Sequence, residues 1–240
     1  MEKEELIQRS PVRIFMNSIG GGLKPGEFGI IASPSGIGKT SVLVQIALDK
    51  LLQGKKVIHI SFTKHTDYVL AWYEGLFDEF IRKKNLEDPE DVKNDLVKNR
   101  VLMKFNQEGL QLDQILKSIR ALVKDGGFNA ETMIIDGFDF SAAAESHIST
   151  LKAFASEMGL SIWSSCTVRG EKPFYDKRNI PLVLKDYADL FDVIVILDPQ
   201  QDHIALAVSR NRNLGGPDGS LGPDGPRLRL DPKTLLILAP

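Results

Sequence analysis

The chain has 240 residues, 42% hydrophobic and 26% charged, enough to bury a sizeable core in one large domain. Thirty Lys+Arg against 32 Asp+Glu leave a net charge of -2, which excludes a strongly basic nucleic-acid coat or a polyacidic tail but not a local basic patch. One cysteine, Cys166, excludes an internal disulfide framework and a Cys-rich zinc site, and suits the reducing cytoplasm.

The opening MEKEELIQRS has neither an apolar core nor a small-residue cleavage site, so it does not read as a secretory signal. No stretch approaches the roughly 18 apolar residues of a membrane span, so membrane insertion is not expected. Residues 1–18 read as an N-terminal extension to a single domain covering 1–240. The first strand is FGIIAS (28–33). Val42, Leu43, Ile46, Ala47 and Leu51 then mark a helix ending at Gly54, and KVIHISF (56–62) is the next strand. Charges of both signs crowd residues 78–100, which read as solvated helix broken at Pro89. After the strand RVLMKF (100–105), Leu112, Ile115, Leu116, Ile119, Leu122 and Val123 recur on one helix face, which Gly126-Gly127 can terminate. The apolar runs TMIID (132–136), LSIWSS (160–165) and DVIVILD (192–198) follow.

Continuous apolar strands are buried on both faces, as in a parallel sheet covered by helices, and their alternation with helices predicts an α/β doubly wound fold. HIALAVS (203–209) follows DVIVILD too closely for a crossover helix, so these two should pair as an antiparallel hairpin. Residues 213–226 form a Gly/Pro-rich loop with GPDG at 216–219 and again at 222–225. A final hairpin joins RLRL (227–230) to LLIL (235–238) through Asp231-Pro232-Lys233-Thr234.

The densest chemistry follows the first strand. Ser33-Pro34-Ser35-Gly36-Ile37-Gly38-Lys39-Thr40-Ser41 runs from a strand directly into a helix. Small residues let successive backbone N–H groups turn around phosphate oxygens, and the helix N-terminus adds partial positive charge. Lys39 can reach the β- and γ-phosphates of ATP or ADP, and the Thr40 hydroxyl can complete the shell of Mg²⁺. The first position of this motif is normally Gly, and here it is Ser33. Asp136 ends a buried strand, where a phosphate-loop protein holds Mg²⁺ with a carboxylate. Asp139, three residues on, reads as a cap for the next helix.

The flanks extend this pattern. Ile19-Gly20-Gly21-Gly22-Leu23-Lys24-Pro25-Gly26-Glu27 resembles the lead-in of the RecA superfamily, especially its KaiC, RadA and DnaB-type replicative-helicase branches. Next in order come SF (61–62), IID (134–136), SRNRN (209–213) and the closing Leu230-Asp231-Pro232-Lys233-Thr234. The resemblance spans about residues 10–240 and implies one RecA-like core, with a mostly parallel sheet and antiparallel hairpins at its C-terminal end. It implies ATP bound at the edge of one subunit and completed by the next in a ring or filament, or by a related RecA-like subunit. Arg210 and Arg212 match the family's basic motif that contacts the γ-phosphate in trans.

Two positions depart from the family. Catalytic members carry a glutamate just after the second strand, where this chain has Thr63 followed by Lys64. A threonine hydroxyl cannot act as a carboxylate base at neutral pH. Helicase-like members often read SQ-x-x-R after the strand that here ends Ser165-Cys166-Thr167-Val168-Arg169, so Cys166 stands where the glutamine sensor would be. Cys166 reads as a small buried residue at a strand end rather than a reactive thiol. Asp67 and Glu74 on the following helix are alternative carboxylates.

The segment VRGEKPFYDKRNIP (168–181) gathers Arg169, Lys172, Lys177 and Arg178 with Phe174 and Tyr175. Cations with aromatics suit single-strand contact, but Glu171 and Asp176 dilute the charge, so nucleic-acid binding is open but not favoured. His59 reads as a satisfied core histidine. Trp72, Tyr73, Leu76, Phe77 and Phe80 read as an aromatic core face. Two functions follow: a nucleotide-dependent assembly switch that hydrolyses ATP weakly or not at all and docks an unknown protein partner, or an active DNA-dependent ATPase. The missing glutamate and glutamine favour the first.

Overall fold

The structure, a computed structural model, describes residues 11–62, 66–84, 89–106, 112–169, 174–216, 219–221 and 225–238. The strands are β1 (Phe28–Ser33), β2 (Lys56–Ser61), β3 (Arg100–Lys104), β4 (Ala130–Asp136), β5 (Ser161–Thr167), β6 (Val193–Pro199), β7 (Ile204–Asn211), β8 (Arg227–Leu230) and β9 (Ile237–Leu238). They form one sheet in the order β3-β2-β4-β5-β1-β6-β7-β8-β9. The strands from β3 to β6 in that order run parallel, and β6 through β9 pair antiparallel. This is the mixed α/β sheet expected from the apolar runs.

Alternating side chains divide the core into two layers. Val57, Ile134, Trp163, Val193, Val195 and Leu197 point to one face, where the helices Pro11–Ser18, Lys39–Leu52 and Thr66–Lys84 pack. Ile58, Met133, Ile135, Ile162, Ile194 and Ile196 point to the other, under Leu112–Arg120, Glu145–Met158 and the 3₁₀ segment Leu182–Leu190. Residues 11–18 therefore join the core: Val12, Phe15 and Met16 are buried, and Phe15 packs against Trp163. Trp163 in turn lies across Gly29, where a Cβ would sit 2.6 Å from the indole ring. That contact admits only glycine.

Some elements differ from the sequence reading for physical reasons. The helix expected to reach Val123 keeps α geometry to Arg120, then widens into a π turn, Ala121–Asp125, closed by the Gly126 N–H donating to Ala121 O at 2.9 Å. The charged stretch forms two helices, Thr66–Lys84 and Pro89–Lys98, with Val92 and Leu96 of the second buried. The last strand shortens to Ile237–Leu238 because Leu235 turns into the left-handed region at φ 54. Among the described residues no helix is long and apolar enough to cross a membrane.

Candidate nucleotide site

The parallel strands all point their C-terminal ends to one edge of the sheet, and the sequence-predicted loop leaves β1 there. Register places Ser33 beside Thr167 and Ala32 beside Cys166. One strand further, Ser61 lies beside Asp136. Gly36 and Gly38 take φ of 80° and 108°, which turns the loop back into the Lys39–Leu52 helix. Ser35 and Gly36 are exposed, while Pro34, Ile37 and Gly38 are half-buried. Ser33 ends an extended strand, with its backbone outside the positive-φ region, so the glycine usual at this position is not needed for backbone freedom.

Lys39 is buried and its ammonium donates to Pro34 O at 2.8 Å, Ser33 O at 3.1 Å and Ser33 Oγ at 3.3 Å. Burial pulls its pKa down to about 8; Cys166 and Asp136 oppose that fall and Arg169 adds to it. Thr40 Oγ1 donates to Asp136 Oδ2 at 2.8 Å, joining the start of the helix to the end of β4. The other carboxylate oxygen accepts from Ser165 Oγ at 2.7 Å, and that hydroxyl accepts from the Gly137 N–H at 2.8 Å. Asp136 is thus buried and aimed by two hydroxyls. Ser165 escaped the sequence reading, although it stands directly before Cys166 in the stretch compared with SQ-x-x-R.

A hydroxyl and a carboxylate meeting beside a buried ammonium form a hard-oxygen set that fits Mg²⁺ carried by phosphates. Among the described residues, no group of three or more His, Cys, Asp or Glu is placed to hold a metal ion, which leaves no rival metal centre there. Cys166 is buried and its thiol is pushed up to about 12 by that burial, so it stands beside Lys39 as a neutral group.

Ser41, read as part of the loop, faces elsewhere. Its hydroxyl donates to Leu235 O at 2.9 Å. Gln45, one turn on, donates to the same carbonyl at 2.8 Å and accepts the Ile237 N–H at 2.9 Å. The leucine side chain rests on the loop, since a Cβ on Gly38 would meet Leu235 Cδ2 at 3.3 Å. A lone buried amide on an apolar helix was the available signal for Gln45.

The chain leaves β2 beside the carboxylate, the Phe62 N–H donating to Asp136 O at 2.8 Å. Thr63 and Lys64 lie outside the described residues. Asp67 and Glu74 are exposed on the following helix. Asp139 caps the short turn Phe140–Ala142 by accepting from the Ser141 N–H, and it lies 3.5 Å from Arg169. His59 is a core histidine, as expected, but only half satisfied. Its Nδ1 and Tyr73 Oη are hydrogen-bonded at 3.0 Å, while Nε2 is buried without a partner.

Arg210 and Arg212 sit at the far edge of the sheet. Val193, at the start of β6, pairs with Asn211 and also with Gly29, near the start of β1. The six-residue β1 separates that level from the loop, about 20 Å at strand rise. Arg210 is buried; its Nε donates to Phe191 O at 3.1 Å and its guanidinium pairs with Asp189 at 3.1 Å. Arg212 is more open, with a side chain 46% exposed; it bonds Asp189 O and lies 3.5 Å from Asp192. In the segment after β5, Arg178 pairs with Asp176 at 3.3 Å, and residues 170–173, including Lys172, lie outside the described residues.

No protein-family model matches the chain, and no curated protein matches it in sequence. Among solved structures it is similar to the ATPase domain of a DnaB-like helicase, with 13% identity, a TM-score of 0.66, and coverage of 99% of this chain and 95% of that one. At such identity the similarity is one of fold. The RecA-like α/β fold expected from the sequence is the fold observed.

Proposed function

We propose that the protein binds Mg-ATP or Mg-ADP at the loop after β1 and acts as a nucleotide-dependent assembly switch with weak or absent hydrolysis. The observation that carries this reading is the 2.8 Å contact of Thr40 Oγ1 with Asp136 Oδ2 beside the buried Lys39 ammonium. Backbone N–H groups of residues 34–40 supply the phosphate cradle, and Lys39 supplies its one aimed side-chain cation. Thr40 and Asp136 would hold Mg²⁺, which when bound neutralises phosphate charge. Ser165 keeps the Asp136 carboxylate turned toward Thr40.

Arg212 supports the assembly half of the reading. It lies a strand length from its own loop, so its guanidinium can reach only the phosphates of another subunit. The hydrolysis half rests on Thr63, Lys64 and Cys166, none of which supplies a base or an amide sensor at neutral pH. Calorimetry with Mg-ATP, with turnover measured on the same sample, tests the whole. Binding by the wild type, its loss in Lys39→Ala and turnover far below one per second are expected. Thr63→Glu combined with Lys64→Glu should raise turnover by about 10²-fold at unchanged affinity. Wild-type turnover of several per second, above all if single-stranded DNA stimulates it, would replace the switch with the DNA-dependent ATPase.

A further inference from the structure

The hairpin end of the sheet carries a second cleft. Strand β7 alternates large and small: Ile204, Leu206 and Val208 enter the core, and Ala205 and Ala207 face the other way. Register sets these alanines in two cross-strand rows, Ile196–Ala207–Arg227 and Asp198–Ala205–Arg229. The small residues make a floor, with the arginines along one wall and Ile196 and Asp198 along the other. Tyr175 and Asn179 close over it, giving a cleft of about 630 Å³, the size of a small-molecule site. Ile196 and Tyr175 belong to the core layer opposite the Lys39–Leu52 helix, so the cleft is separate from the phosphate loop.

The two arginines are unusual in this molecule. Arg13, Arg82, Arg120, Arg178, Arg210 and Arg212 each lie against a carboxylate. Arg227 and Arg229 are exposed, share one strand face roughly 6.6 Å apart, and make no ion pair among the described residues. Asp198 stands two strand spacings away from Arg229, roughly 9.6 Å, too far to neutralise it, and it holds Gln200 instead. Paired guanidiniums match phosphate oxygens in a bidentate fork. Burial and Asp198 push the Tyr175 phenol up to about 12, so it stays a neutral ring and hydroxyl donor.

We propose that this cleft is a second nucleotide site, with phosphate on Arg227 and Arg229, the base against Tyr175 and the ribose hydroxyls toward Asp198. The cleft recognises a nucleotide's phosphate ester, whether the nucleotide is free or one unit of a single strand. The site does not depend on the phosphate loop, and one titration series separates them. ADP and hexathymidylate are titrated by calorimetry into the full chain, into Lys39→Ala, and into Lys39→Ala carrying Arg227→Ala and Arg229→Ala. Lys39→Ala should still bind one equivalent of ADP or of hexathymidylate, and the added arginine changes should weaken that binding at least tenfold. Ala207→Leu, which fills the floor without touching charge, should weaken it similarly. Preference for ADP assigns a free nucleotide, and preference for hexathymidylate assigns a strand; both uphold the site. Absence of either ligand from Lys39→Ala, or binding indifferent to the arginines, overturns it. Wild-type binding abolished by Lys39→Ala alone would overturn this cleft and leave the phosphate loop standing.

Discussion

Gln45 holds Leu235 across 190 positions of sequence through a 2.8 Å hydrogen bond from Nε2 to the carbonyl oxygen. Its Oε1 takes the Ile237 N–H, so one side chain pairs with the last turn as a strand would. That turn presses Leu235 onto Gly38, and the phosphate loop is therefore braced by the C-terminal hairpin. Gln45→Leu keeps the volume and leaves the buried Ile237 N–H unpaired. It should cost about 1–3 kcal/mol of stability in denaturant unfolding and weaken Mg-ADP binding by calorimetry. Unchanged affinity at reduced stability would confine the brace to folding.

Lys39 illustrates a trade between binding and stability. Its ammonium is buried against carbonyl and hydroxyl oxygens, and burial draws its pKa down to about 8. A charge kept there for phosphate destabilises the apo fold. Lys39→Met should raise stability by roughly 1–2 kcal/mol while removing most nucleotide affinity. Thermal unfolding with and without Mg-ADP measures both: the wild type gains from ligand and the variant does not.

His59 gives a pH dependence whose sign follows from its burial. Desolvation first, and the Arg100 charge second, hold it near 4 against an ordinary 6.5, although Asp136 pulls the other way. The unfolded chain takes up this proton below about 6.5 and the folded chain only near 4. The stability present above 6.5 is thus lost as pH falls through that window, by up to about 3 kcal/mol. His59→Asn, which keeps a short polar group toward Tyr73, should flatten the wild-type slope between pH 6.5 and 4 in urea titrations.

The two arginines after β7 should separate by role. Arg210→Ala removes the groups that hold Phe191 O and Asp189 and should lower stability by about 1–3 kcal/mol. Arg212→Ala should leave protomer stability within about 0.5 kcal/mol, as exposed changes do, yet abolish growth of the assembly with a non-hydrolysable ATP analogue. Light scattering reads the second effect. Equal growth in wild type and Arg212→Ala would remove Arg212 from the interface.

Much of the fold was legible because continuous apolar runs report burial on both sides. FGIIAS gave the bounds of β1 outright, and the loop chemistry followed from small residues between a strand and a helix. What stayed hidden depends on partners distant in sequence. The Ser41 hydroxyl looks available to phosphate until the Leu235 carbonyl occupies it. Arg210 and Arg212 look alike until Asp189 and Phe191 bury the first. The π turn after Arg120 changes helix geometry without changing hydrophobic period, so no pattern announces it.

The placement of β5 between β1 and β4 has a mechanical meaning. The loop and Asp136 stand on strands that never touch, separated by two sheet spacings of roughly 9.6 Å. Their gap is spanned at the tip of β5, where the Ser33 carbonyl takes the Val168 N–H and Asp136 takes the Ser165 hydroxyl. Any shift of one wall relative to the other must be taken up by that tip. Beyond it the chain runs out through Arg169 to Tyr175 and Asn179 over the hairpin cleft, so β5 works as a tie rod from the loop to the opposite face of the sheet.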